Sequence, residues 1–384
     1  MYLRLLPLAL ATFAVGTDGF VIAGLLPAIA TDLDVTIPAA GQLVSAFALT
    51  LAIAAPVLGA ATSTLDRRAA LLLALGVFTA GNALTALADS YGLALASRVL
   101  TAAGAGIINS AAASTAAVIA PPERRGRALS FVMGGLMTAT ALGLPLGTLI
   151  GGADWRLALW AVAGLGLVSA AGIALGLPAI SLPAAGLRDR IAPLRRPEVI
   201  GIVLVTGLAM VGMYVLYPYI APALAGVTGG SPVLLTTILF VWGLGTVAGN
   251  LLVGRLSDRH APQRLLLAGL AASALLLAIT PLVATHLAST LVWAALWGIA
   301  VGFPVVPQQH RLVALAPSAG PVLLGLNSAS IYAGIALGGA LGGLLQNWMT
   351  PVWLGLPGAV ALLVAAALTV PAVRGRAAVA EPVG

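Results

Sequence analysis

The 384-residue chain has no cysteine and no lysine, and only 8% of its residues are charged. Without cysteine, disulfides, thiolate metal sites and cysteine nucleophiles are all excluded. Without lysine there is no Gly-x-x-x-x-Gly-Lys loop, so energy from ATP through a P-loop is excluded as well. A soluble domain carries about 25% charged residues. A water-soluble enzyme or binding module could not cover its surface with this composition. His260, His286 and His310 fall in or near different loops and lack metal-ligand spacing. The serines are scattered without a nearby histidine base. No enzyme, metal or cofactor is expected.

The chain is instead 60% hydrophobic, with a mean hydropathy of +1.09. Its 46 glycines and 24 prolines follow no fixed period, which excludes a collagen-like chain, and the apolar content excludes disorder. An all-α polytopic membrane protein remains. Hydrophobic stretches of about 20 residues, the length that crosses a hydrocarbon core of about 30 Å, occur twelve times. They cover 5–30, 38–62, 69–88, 91–119, 127–151, 156–178, 198–223, 232–256, 263–284, 287–307, 320–345 and 351–373. The first is read as a retained helix rather than a signal peptide, because its apolar run exceeds the usual 7–15 residues and contains Asp18. A Pro-containing stretch, 179–197, bears Arg188, Arg190, Arg195 and Arg196 and divides the chain. The predicted organisation is a six-helix bundle at 1–178, a linker at 179–197, a second six-helix bundle at 198–373 and a tail at 374–384.

The arginines give an orientation. With the N-terminus in the cytoplasm, every arginine except Arg98 and Arg156 lies on the cytoplasmic side, whereas Asp32, Asp34, Asp89 and Asp154 lie outside. Both termini are then cytoplasmic, in the inner membrane of a bacterium. The net charge of +7 records this asymmetry and does not point to nucleic acid.

Two loops resemble each other. Thr62-Ser63-Thr64-Leu65-Asp66-Arg67-Arg68 follows the second stretch, and Gly254-Arg255-Leu256-Ser257-Asp258-Arg259 follows the eighth. Their aspartates are 258 − 66 = 192 residues apart, half the chain, as a duplicated six-helix unit requires. With these residues the chain resembles the major facilitator superfamily, in its twelve-helix drug:proton antiporter branch. It is most similar there to sugar-efflux, arabinose-efflux and chloramphenicol-efflux type permeases. The resemblance implies two pseudo-symmetric six-helix bundles around a midplane site. It also implies that Asp66, Arg67, Arg68, Gly254, Asp258 and Arg259 form a charge relay gating the cytoplasmic side, although Thr62 replaces the motif glycine in the first copy. Gly134, Gly143, Pro145 and Gly147 resemble the antiporter motif of the fifth helix, ending here in Gly-x-Pro-x-Gly. Pro145 removes a backbone donor and the glycines permit close helix contact. Asp154-Trp155-Arg156 follows, as in the sugar-efflux subgroup.

Asp18 and Arg98 are the ionisable residues left inside predicted spans. Each costs roughly 2.5–3.5 kcal/mol at mid-bilayer on insertion scales, so each needs a partner, water or a function. Asp18 lies 14 residues from both Arg4 and Asp32, near the midplane, and is the candidate proton carrier. Arg98 matches the arginine of the family's fourth-helix motif. Its candidate roles are to modulate Asp18 or to hold a substrate acceptor, since arginine keeps its proton. A purely structural tie between the first and fourth helices is the alternative.

Arg98, Thr101 and Asn109 share one helical face, and Met210, Tyr214 and Tyr217 another. With Gln42, Trp242, Trp297 and Asn327 they are the candidate substrate cavity. For Tyr217 and Tyr219 an interfacial aromatic belt fits equally well. The expected function is export of small amphiphilic organic compounds against proton entry, by a protein that works as a monomer in the lipid bilayer. Sugar or nucleoside efflux, proton-coupled uptake, and a non-transporting sensor or scaffold are the alternatives.

Overall fold

A computed structural model describes residues 2–180 and 186–379. Parts of the predicted linker (181–185) and tail (380–384) lie outside the described residues. Twelve helical segments cross the long axis of the bundle: α1 Tyr2–Asp32, α2 Ile37–Ala61, α3 Arg67–Ala86, α4 Tyr91–Ile119, α5 Arg125–Gly151, α6 Trp155–Gly176, α7 Pro197–Thr228, α8 Pro232–Ser257, α9 Pro262–Ala278, α10 Leu287–Leu315, α11 Gly320–Leu345 and α12 Gly355–Val379. Among the described residues eleven segments are long and apolar enough to span a membrane, and α9 is a shorter apolar helix. Helix starts follow local chemistry. The Thr36, Asp66, Asp154 and Ser231 side chains accept from backbone N–H groups at the starts of α2, α3, α6 and α8. Pro197, Pro232 and Pro262 occupy first turns, where a missing N–H costs nothing.

Several spans differ from their sequence-based expectation. α7 continues past 223 to Thr228, through a 3₁₀ turn at Tyr217–Tyr219, and ends at Gly229 and Gly230, both with positive φ. α10 breaks at Phe303-Pro304 and resumes as Val305–Leu315, beyond the predicted 307. Its polar extension is held because Gln308 donates to the Ile202 carbonyl (3.0 Å) and to Thr206 (3.2 Å). α9 stops at Ala278 rather than 284, just ahead of Pro281. In α5 a π-helical turn, Ala139–Gly143, precedes Pro145, so the helix absorbs the proline by widening one turn.

Glycine seams bring the helices together. On α5, Gly143, Gly147 and Gly151 face Thr17, Val21 and Leu25 of α1. On α11, Gly334, Gly338 and Gly342 face the backbone carbonyls of Gly207, Val211 and Val215 on α7. On α10, Gly298 faces the Trp242 carbonyl of α8. In a membrane the lipid competes equally for apolar surface, so close backbone approach supplies the packing.

α1–α6 form one bundle and α7–α12 the other. The two bundles meet where α1 touches 217–223, where Gly243 of α8 lies on the Thr140 backbone, where Gly152 lies against Pro232, and where Gly339 and Gly343 of α11 face Ser45 and Gln42 of α2. These contacts lie at mid-depth or toward the face opposite the N-terminus. On the N-terminal face a short helix, Leu187–Ile191, touches both α2 and α11.

A side chain at Gly298 should force α8 and α10 apart, because overpacking costs typically about 1–3 kcal/mol. Gly254 has open space around it. Gly298→Val should therefore lower the unfolding midpoint and the monodisperse yield in detergent, while Gly254→Val leaves both unchanged.

Candidate functional site

At the middle of α1, Asp18 is fully buried, and Arg98 of α4 is 1% exposed. The Arg98 Nη1 donates to Asp18 Oδ1 at 2.6 Å, and Nη2 donates to the Asp18 backbone carbonyl at 3.3 Å. The two residues are therefore in direct contact. Their remaining polar atoms, Asp18 Oδ2 and Arg98 Nε, have no hydrogen-bond partner among the described residues. The guanidinium lies 4.4 Å from the centroid of the Phe47 ring on α2, within reach of a cation–π interaction.

The Phe47 ring also helps line a central cavity between the bundles. Val15, Gly16, Gly19 and Phe20 of α1 line it from one side, and Tyr214 of α7 and Tyr332 of α11 from the other. The cavity is small, about 20 Å³, room for about one water molecule. Its wall is mostly apolar, with the two tyrosines as its polar elements. Asp18 and Arg98 stand behind this wall rather than in it, and Phe47 contributes to both structures.

A second cluster adjoins the cavity. The Tyr217 ring centroid lies 4.8 Å from Trp242, 5.2 Å from Tyr214 and 6.4 Å from Trp297. Trp242 and Trp297 are 5.7 Å apart. Phe20, two residues after Asp18, meets Tyr217 edge-on at 6.0 Å and so joins α1 to α7. Tyr217 and Tyr219 are buried in the protein, at 1% and 0% exposure, so neither belongs to an interfacial belt.

The remaining candidates separate. Asn109 stands beside the Tyr332 hydroxyl. Thr101 does not reach the cavity: it is buried against Gly81 of α3 and donates to the Ser97 carbonyl (2.8 Å). Asn327 is likewise interior, accepting from Thr206 at 3.0 Å. Met210 packs against Gly334, and Gln42 against Gly343 at the α2–α11 contact. Thr101, on the helical face of Arg98 and Asn109, turns toward α3, and Asn327 turns toward α7 within its own bundle.

The two loop copies are unequal. In the first, Asp66 caps α3, Arg67 is 7% exposed and its N–H donates to the Ile180 carbonyl (2.8 Å), and Arg68 donates to the Ala174 carbonyl. Arg190 reaches the Gly59 carbonyl (3.1 Å). Burial, and then the nearby Arg67 charge, lower its pKa below the usual guanidinium range. In the second copy Gly254, Asp258 and Arg259 are exposed. Within the α5 motif, Gly143 and Gly147 pack on α1, but the Cα of Gly134 faces open space. Its neighbour Gly135 is the residue pressed against Ala9 and Thr12. On the opposite face Arg156 pairs with Asp32 at 2.5 Å and donates to the Ala88 carbonyl at 2.9 Å, tying α1, α3 and α6 together.

Phe47, Phe20, Tyr332 and Gly135 were absent from the sequence-based candidates. Tyr332 had a usable signal, since it falls at the midpoint of its span. Phe47 had none, because only the packing of α2 beside α4 sets its ring on Arg98.

A family model described as Major Facilitator Superfamily matches residues 8–198 and 202–383. The chain is 35% identical to "Inner membrane transport protein YdhP" of Escherichia coli (strain K12), over 88% of this chain and 87% of the relative. It is also 35% identical to a "Chloramphenicol resistance protein" of Streptomyces lividans, over 95% of this chain and 96% of that one. In fold it is similar to a bacterial homolog of the human lysosomal transporter Spinster, solved in an inward-facing and unoccupied conformation. That likeness has a TM-score of 0.78 at 19% identity and covers 97% of this chain and 96% of the other.

Removing one member of a buried ion pair costs about 3–5 kcal/mol. Arg98→Gln should therefore lower the unfolding midpoint in detergent sharply, and adding Asp18→Asn should recover most of the loss. Phe47→Ala should open Asp18 to the cavity. A hydrophobic carbodiimide should then label Asp18 in the variant at least several times faster than in the wild type.

Proposed function

Because the chain belongs to the Major Facilitator Superfamily, we propose that it exports small amphiphilic organic compounds in exchange for protons, by alternating access. The buried Asp18–Arg98 pair beside the central cavity carries this reading. A carboxylate this far from water persists only while it is paired. Protonation of Asp18 removes the Coulombic half of the contact, leaving Arg98 to Phe47 and the carbonyl oxygen. The tie between α1 and α4 then loosens. Phe20 sits on the same helix and packs on Tyr217, so a shift of α1 bears directly on the contact that joins the bundles at mid-depth. Substrate and proton would favour opposite protonation states of Asp18, which couples one movement to the other. Asp18 would take its proton from outside and release it inside.

The cavity supports the amphiphilic substrate. Once the bundles part and widen this space, an apolar wall with two tyrosine hydroxyls would remove apolar solute surface from water and offer few polar contacts. A sugar would leave most of its hydroxyls without partners there, which disfavours the sugar and nucleoside alternatives. The relative named for chloramphenicol resistance agrees with export. The arginine asymmetry supports both termini in the cytoplasm, with the N-terminal face inside. The relative named an inner membrane transport protein agrees with that membrane. The two bundles suffice for the mechanism, so a monomer is the working unit. In the first loop copy the Asp66 side chain caps α3 and the Arg68 side chain holds the Ala174 carbonyl, which suits a gate on the cytoplasmic side.

Asp18→Asn keeps the side-chain size and removes the titratable proton. In proteoliposomes with an imposed pH gradient, wild-type protein should accumulate a substrate of this kind and Asp18→Asn should lose gradient-driven transport at least tenfold. Full gradient-driven transport by the variant would overturn the proton role.

A further inference from the structure

We propose that the linker segment from Leu187 to Arg196 is an amphipathic strap that docks on the inner leaflet of the membrane and recognises its anionic phospholipid headgroups. This goes beyond the efflux reading and rests only on the chain crossing a membrane with its N-terminal face inside. The helical turn Leu187–Ile191 passes directly into a 3₁₀ turn, Ala192–Arg195. Leu187, Ile191 and Leu194 stand at i, i+4 and i+7 and so share one face. They are 40%, 45% and 38% exposed. Arg188 and Arg195, seven residues apart, run along one flank of that face, and both are exposed, as is Arg196. A single exposed leucine needs no explanation. An apolar face edged by arginine is the pattern of a helix lying in a membrane interface, with its apolar side chains toward the acyl chains and its cations at the headgroups.

The position fits that role. Arg190 Nη2 donates to the Gly59 carbonyl at 3.1 Å, which pins the segment to the last turn of α2. Leu49, Ile53 and Val57 face outward along the same helix at one-turn intervals. At about 1.5 Å per residue Gly59 lies about 3 Å beyond Val57. The outward apolar stripe of α2 therefore leads to the level at which the segment is held, where hydrocarbon gives way to headgroups.

Charge selects the lipid. From 187 to 198 the chain carries a net charge of +2, four arginines against Asp189 and Glu198. Arg190 is held by α2, so Arg188, Arg195 and Arg196 are the cations available to headgroups. Basic residues are attracted to an anionic leaflet within a Debye length of it, whereas a zwitterionic surface offers them no net field. The segment also touches α11, so a lipid surface that holds it bears on both bundles at once.

The chain has no cysteine, so one introduced thiol takes one label. Ile191→Cys is labelled with an environment-sensitive nitrobenzoxadiazole dye, and His260→Cys, exposed after α8, serves as the reference. The full-length protein is placed in nanodiscs of phosphatidylcholine, with or without phosphatidylglycerol. With phosphatidylglycerol present, the dye at 191 should emit at shorter wavelength than the dye at 260, and nitroxide-bearing lipid should quench it several times more strongly. Added salt should reverse the part of the shift that phosphatidylglycerol produces. Replacing Arg188, Arg195 and Arg196 together by Gln should cut that part at least about fivefold while leaving the folded yield at the wild-type level, since all three side chains are exposed. A dye at 191 as water-exposed as the one at 260 in both kinds of disc would overturn the docking. Equal burial with and without phosphatidylglycerol, or an unchanged response in the triple variant, would overturn the recognition of anionic lipid by these arginines. No reading depends on solute movement, so failure here leaves the efflux proposal standing, and a protein that transports nothing should still dock.

Discussion

A carboxylate and a guanidinium buried together in the middle of a membrane bundle constrain everything around them. Hydrocarbon offers neither hydrogen bonds nor counter-ions, so Asp18 requires Arg98, and α1 must lie beside α4. The guanidinium is further covered by Phe47, which places α2 over the pair. Three helices are thereby registered against one another at the same depth. The cavity wall is built on that registration, because Phe47 serves the ion pair and the cavity together.

Glycine seams carry this local constraint through each bundle. α5 lies so close to α1 at Gly143 and Gly147 that the two helices move as neighbours, and the π turn before Pro145 preserves the contact through the proline. In the second bundle α7 and α11 share carbonyl-to-glycine contacts along three turns. The bundles are each closely packed, and α2 and α11 pack against each other across the boundary as extensively as neighbours within a bundle. Phe20 against Tyr217 brings the ion-pair helix to that boundary.

Much of the fold was legible because lipid imposes a strict rule: backbone groups must be satisfied within each segment, so spans read directly as apolar runs. The legible site residues were those whose presence violated that rule. Asp18 and Arg98 stood out as charges in apolar runs, and their contact explains both. The aromatic candidates Tyr214, Tyr217, Trp242 and Trp297 come together, although they lie on three helices. Thr101 shares the helical face of Arg98 but turns toward α3, because periodicity reports a helical face and not which neighbour covers it. Gly134 and Gly135 differ for the same reason. Adjacent glycines are alike as letters, but only the second points at α1.

The sequence by itself determined the membrane class, the twelve segments, the arginine asymmetry and the two charges that demand an explanation. Those follow from the free energy of moving single residues or segments out of water, which is local to the chain. The tertiary structure decided that Asp18 meets Arg98, that Phe47 stands between them and the cavity, and that three aromatic rings share one buried triangle. These depend on how helices rotate and approach one another. Small residues far apart in the chain set that approach collectively, so no single stretch encodes it.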